Sequence, residues 1–295
     1  MASLKEIKGR IASVSSTLKI TSAMKMVASA KLRKAQHAAG NLVPYQEMLS
    51  GILYGLLASD ESGKLDLQAY TRPREVHRVA LVCYASNSSL CGAFNANAIR
   101  EALAVVRAYE AEGVEVCVYS VGRKMADAMR RAGYPSPGDY TSLSARPDYE
   151  HAAALGEELV QGYLEGRFDQ VEFVYNHYKS ASSQQVVRQT YLPFSPQASS
   201  EGEAAGPYRQ FPPDYIIEPG RAELVEQMLP KVLRMKSYTV LLDTAAAEHA
   251  ARVVAMQTAT DNANSLLVTL TLEYNKSRQQ KITAEILDIV GGSLQ

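Results

Sequence analysis

The stretch from Met1 to Leu42, MASLKEIKGRIASVSSTLKITSAMKMVASAKLRKAQHAAGNL, decides the architecture. Leu4, Ile7, Ile11, Val14, Leu18, Thr21, Lys25, Ala28, Leu32, Ala35, Ala39 and Leu42 follow one another at alternating steps of three and four, which is an a/d heptad seam. A seam on this spacing keeps one edge of a helix against a partner helix. Its first half is large and apolar, and its second half is alanine, which lets the partner approach closely. Lys25 interrupts it, with Met24 and Met26 where the contact surface turns. Ser3 followed by Glu6 forms a capping box at the start. Pro44 is a potential kink, yet apolar periodicity resumes at Tyr45, Met48, Leu49, Ile52 and Leu53. A helix from 3 to 57 is about 80 Å long at roughly 1.5 Å per residue.

A helix of that length needs a partner for its stripe, and the other end of the chain offers one. Residues 221–290 contain one proline, Pro230, and no glycine before the stop signal Gly291-Gly292. A helix of about 70 residues there is about 105 Å long, far beyond the usual 11–12 residues of a globular helix. Ile282, Ile286, Ile289 and Val290 make an apolar stripe, and Leu266, Leu267 and Leu270 make another. The economical reading is an antiparallel coiled coil of the two ends, with Ile282, Ile286 and Ile289 in its seam. Homodimerisation through the same stripes is the alternative.

Between the ends lies an α/β segment. Val76–Ala85, Val114–Val121, Gln170–Tyr178 and Gln185–Leu192 read as strands, and Asn95–Gly113, Arg123–Ala132 and His151–Leu164 as helices. The β-α-β-α order argues for a small, mostly parallel sheet. Residues 195–213, rich in Pro, Gly, Ser and Glu, read as a linker. The expected organisation is therefore an N-terminal coiled-coil helix (1–57), an α/β domain (74–194), a linker (195–218) and a C-terminal coiled-coil helix (219–295). In fold class this is α/β, a long antiparallel coiled coil plus a small Rossmann-like domain.

The 295 residues carry equal numbers of basic and acidic groups, but unevenly. Residues 1–39 hold eight Lys/Arg and one acid, Glu6, whereas residues 40–220 sum to −7. A basic arm on an acidic body faces something negative: nucleic acid, anionic lipid or an acidic protein surface. Hydrophobic residues make up 46% and charged residues 21%, which excludes general disorder. No run approaches the 18 apolar residues of a membrane span, and the charged N-terminus lacks the apolar core of a signal peptide. Three cysteines, Cys83, Cys91 and Cys117, are too few for a disulfide framework, which fits a reduced, intracellular chain. Cys83 and Cys117 fall within strands as core filler. The five histidines are scattered and no C-x-x-C occurs, so no zinc site is expected.

The first βα turn, Ser86–Ala93, has one glycine where a dinucleotide fingerprint has three. Gly63-Lys64 is not a P-loop. Ser88, Ser89 and Cys91 have no histidine placed by sequence to activate them, and the turn reads as a helix cap. The chain shows no catalytic constellation of its own.

Both ends strongly resemble the γ subunit of F-type ATP synthases. The resemblance rests on the opening MASLKEIKGRIASVSSTLKITSAMKMVASAKLRKAQ and on the closing Ile282-Thr283-Ala284-Glu285-Ile286-Leu287-Asp288-Ile289-Val290-Gly291-Gly292. LCGAFN at Leu90–Asn95, NHYKSA at Asn176–Ala181 and IIEP at Ile216–Pro219 carry it through the middle. Ser86-Asn87-Ser88-Ser89 departs from the charged turn usual in the family, and the C-terminus from its usual small residues.

The resemblance implies a non-catalytic rotor shaft without cofactor, coupling ion (proton) translocation through the membrane sector to ATP synthesis or hydrolysis at the β-subunit sites. Its partners would be the α and β subunits of the catalytic hexamer, the ε subunit and the membrane c-ring, with no nucleic acid. Association with the membrane would be indirect, at the cytoplasmic face of the bacterial inner membrane, since neither a transit peptide nor an inserted cysteine pair is seen. Met24 and Lys25 match the family's contact with an acidic β loop, where the helices are expected to splay. Arg278 and Gln279 match an upper contact to β, with Arg10 and Ser13 nearby, while Arg252, Thr283 and Glu285 match interacting helical faces. A nucleic-acid- or membrane-binding coiled-coil protein is the reading from another class. It needs one apolar face or none, whereas this arm has a seam whose partner lies in the same chain.

Overall fold

The computed structural model describes residues 3–58, 68–71, 74–194, 217–218 and 220–292. Helix α1 runs over Leu4–Ala58 and helix α7 over Arg221–Gly292, 55 and 72 residues. Ser3 Oγ accepts the Glu6 N–H at 3.2 Å, satisfying one of the orphan donors at the start of α1. The two helices pair antiparallel. Thr260 Oγ1 donates to Thr21 Oγ1 at 3.0 Å and Lys25 Nζ to Gln257 Oε1 at 2.7 Å, so Leu4 stands opposite roughly residue 277 and Leu56 opposite Val225.

Burial follows that pairing. Ile7, Ala28 and Ala35 are buried and Leu4, Ile11, Val14, Leu18 and Leu32 partly so, while Ile20 and Val27, off the stripe, face outward. On α7, Val225, Leu229, Met256, Ala263 and Leu270 are buried. Toward the C-terminus of α7 the seam stops where α1 begins, at Leu4. Ile282, Ile286 and Ile289, expected within it, are 47%, 54% and 71% exposed. α7 overhangs the start of α1 by about fifteen residues, roughly 22 Å, and among the described residues no helix covers that stripe.

The α/β domain is a four-stranded sheet in the order β2-β1-β3-β4, with β1 Arg78–Tyr84, β2 Glu115–Val121, β3 Gln170–Tyr178 and β4 Gln184–Leu192. β1 pairs parallel with β2 and β3, and β3 pairs antiparallel with β4. Alternate residues of β1 point to opposite faces. Val79, Leu81 and Cys83 meet α3 (Phe94–Ala111) and α4 (Arg123–Arg131) through Ala98, Ala102, Val105, Met125 and Met129. Ala80, Val82 and Tyr84 meet α6 (Tyr149–Leu164) and the lower shaft through Leu155, Leu159, Leu53, Val232, Leu233 and Leu241. The shaft therefore closes one face of the sheet, and one core serves both parts.

The short helices α2 (Gln68–Thr71) and α5 (Thr141–Ala145) were not expected. At four and five residues they carry no readable period. The linker lies outside the described residues apart from Ile217 and Glu218, as does Gly63-Lys64.

Candidate functional site

The shaft surface is the candidate site, and α1 makes it positive. Lys5, Lys8, Arg10, Lys19, Lys31, Arg33 and Lys34 are exposed, and Lys25 is half-buried. Met24 is half-buried beside it and Met26 is 63% exposed. The helices do not splay here. Lys25 reaches across to Gln257, whose amide nitrogen donates to Asp261 Oδ1 at 2.9 Å. A charged residue at an a/d position stays in the seam when the partner helix offers an acceptor. Thr21, 8% exposed, is satisfied in the same way by Thr260. Mid-shaft is thus a polar layer held together, with its basic neighbours outside.

The upper residues are solvent-facing. Arg10, Ser13, Arg278 and Gln279 are exposed. Pairing places Arg10 opposite roughly residue 271, about two turns below Arg278, so the two form separate patches along the shaft. Thr283 Oγ1 donates to Gln279 O at 2.9 Å, and Glu285 lies 3.7 Å from Lys281 Nζ with both side chains more than 60% exposed. These residues sit on the overhang among the uncovered isoleucines.

Arg252 is not on that surface. It is 8% exposed and joins α7 to the domain: Nη2 donates to Glu248 Oε1 at 2.6 Å and Nη1 to Ser89 O at 2.5 Å. Its guanidinium is taken up by a carboxylate one turn back and a loop carbonyl, which leaves it no outward face. His249 beside this pair is pushed below the usual imidazole range by burial, against the pull of Glu248.

The turn after β1 is laced from within. Asn95 Oδ1 accepts from Ser86 N and Ser86 Oγ, both at 3.0 Å, and Asn95 Nδ2 reaches Ser88 O. Asn87 bridges Thr141 O and the Arg123 N–H. No side chain of the turn caps α3; a side chain of α3 fastens the turn instead. Cys91 is buried within it.

Sequence reasoning missed Asp243, Glu248, Gln257 and Thr260. The available signal was the run Ala245-Ala246-Ala247 with Ala250 and Ala251, since a helix that is small or apolar all round is buried all round. Among the described residues no cluster of His, Cys, Asp or Glu could hold a metal ion, and no helix is long and apolar enough to cross a membrane.

The sequence pattern of the ATP synthase family matches residues 3–294. The ATP synthase gamma chain of Phocaeicola vulgatus is 52% identical over the whole of both chains. That of Flavobacterium johnsoniae is 43% identical over 99% of this chain and 98% of its own. Among solved structures, a chain of the Tetrahymena thermophila mitochondrial ATP synthase central stalk and c-ring matches with TM-score 0.54 and 25% identity, covering 81% of this chain and 99% of that one. A chain of the Euglena gracilis enzyme matches in fold, with TM-score 0.62 and 21% identity over 98% and 92%. The likeness spans both shaft helices and the domain between them, and the chain belongs to the ATP synthase gamma-chain family.

Proposed function

We propose that the shaft meets its catalytic partners in separate patches along its length and is turned from its α/β domain. The chain is the non-catalytic rotor shaft of an ATP synthase, whose catalytic sites lie on other subunits. In this reading the overhang, with Arg278, Gln279, Thr283 and Glu285, turns inside the hexamer of α and β subunits. Lower down, Arg10 and Ser13 add to the upper contact with β, and below them Met24 and Lys25 with the basic band pass an acidic loop of each β subunit in turn. The α/β domain rests against the ε subunit and the c-ring, at the cytoplasmic face of the bacterial inner membrane. An asymmetric shaft needs no catalytic residue. By contacting each β conformation differently it shifts the populations of nucleotide-binding states, and proton-driven rotation moves that bias from site to site.

The observation that carries the reading is the uncovered end of α7, which has five apolar side chains about half exposed or more, at Ile282, Ile286, Leu287, Ile289 and Val290. Such a surface calls for a sleeve from elsewhere. The test is copy number in the complex purified from membranes. One copy per catalytic hexamer is expected, and a complex holding the chain in equal numbers with β overturns the reading.

A further inference from the structure

In open α/β sheets a ligand sits beyond the carboxyl ends of the strands, where the strand order reverses. The order β2-β1-β3-β4 puts that point between β1 and β3, and helix α7 of the same chain lies there. Asp243, Ala247, Ala251 and Ala255 recur every fourth residue and share a face. Asp243 Oδ1 accepts the backbone N–H of Tyr178, at the end of β3, at 2.9 Å, and its Oδ2 is 2.7 Å from His177 Nδ1. Ala247 and Ala251 pack with Cys91, Phe94 and Tyr178. Next to Ala251 in the helix, Arg252 donates to Ser89 O in the turn after β1. Helix α1 joins the same corner, where Gln36 Nε2 donates to the Tyr178 hydroxyl at 2.8 Å.

We propose that α7 is the resident occupant of the sheet's ligand crevice, and that this socket, fixed by Asp243 at β3 and Arg252 at the turn after β1, transmits torque between the α/β domain and the shaft. The proposal rests on the rotor reading and adds the positioning residues through which rotation passes. Apolar contact at the base, such as Leu53 with Val225 and Leu229, holds the parts together but is non-directional. Hydrogen bonds are directional. Two fixings nine residues apart on α7 are about two and a half turns apart, and so leave the helix on roughly opposite sides; as a couple they resist turning of the domain about the helix axis better than either one alone.

The test uses the assembled complex in membrane vesicles and reads protons pumped per ATP hydrolysed. Asp243→Asn keeps an acceptor for the Tyr178 N–H and is expected to pump as the unaltered complex does. Asp243→Ala removes one of two parallel fixings. It is expected to lower the ratio about twofold or more while the complex stays assembled, and to speed hydrogen exchange at the Tyr178 amide. Tyr178→Phe deletes only the hydroxyl bonded to α1, and a smaller fall in the ratio is expected. It decides the matter if Asp243→Ala does not assemble. An unchanged ratio in Asp243→Ala with a fast-exchanging Tyr178 amide, or in Tyr178→Phe alone in the second case, overturns the socket. Failure of the unaltered chain to assemble or pump at all would instead overturn the rotor reading.

Discussion

Arg252→Met tests whether the Glu248–Arg252 pair stabilises by attraction or by covering a charge. The two side chains are 11% and 10% exposed and their charged atoms are 2.6 Å apart. An exposed i,i+4 pair contributes about 0–1 kcal/mol, but this one lies almost out of water. Removing the guanidinium leaves a buried carboxylate uncompensated, which costs about 3–5 kcal/mol. It also frees Ser89 O, whose bond to a charged donor contributes about 1.5–3 kcal/mol. The two losses share one group and do not add, so a destabilisation of about 4 kcal/mol is expected. At roughly 2–4 °C per kcal/mol for a chain somewhat smaller than this one, the melting temperature falls by about 8–16 °C. Glu248→Leu combined with Arg252→Met replaces both charges with apolar groups of similar size and should recover more than half of that loss. Calorimetry and urea unfolding of the three variants against the unaltered chain give the cycle. A cost below about 1 kcal/mol for Arg252→Met, or a double variant as unstable as the single one, refutes the reasoning.

Ile7, 1% exposed in the seam, and Ile289, 71% exposed on the overhang, make a matched comparison. Ile7→Asp should lower unfolding stability by several kcal/mol, and Ile289→Asp should stay within about 0.5 kcal/mol; equal effects contradict the register. Gly122 has φ +95° and a Cβ there collides with the Ala85 carbonyl, so Gly122→Ala should cost about 2 kcal/mol or more in the same urea titration. Asp148 caps α6 by accepting the His151 N–H at 3.0 Å, and its carboxylate also lies 2.8 Å from His151 Nδ1. The backbone N–H bond is the main cause of a carboxyl held below the usual 3.8, and the carboxylate raises the imidazole above its usual 6.5. The carboxylate's contribution is full above pH 3.8 and lost as pH falls through its lowered value. The imidazolium's is full below pH 6.5 and lost as pH rises through its raised value. Asp148→Ala should therefore cost most between about pH 4 and 6, where loss of the cap alone is about 0.5–2 kcal/mol, and less at pH 8; a flat pH profile speaks against the pairing.

Much of the architecture was legible in the sequence because its signals are local. The three-four spacing from Leu4 to Leu42 names the face of α1 that must be covered, and β3 spans Gln170–Tyr178, the strand read from the sequence. The basic band of α1 needs only counting, and the family follows from the two long end motifs. What the sequence left undecided depends on partners more than 150 residues away. A heptad period says that Ile282, Ile286 and Ile289 share a face, but not that the covering helix stops opposite residue 277; that follows from how Thr21 and Lys25 meet Thr260 and Gln257. Arg252 has the same residue type and helical setting as the exposed Arg278. Only folding brings Ser89 O to it and closes the water out, and so only the tertiary structure separates a shaft surface charge from an internal fixing. A side chain's helical face follows from its neighbours in sequence, whereas its access to water is set by whatever distant segment packs over it.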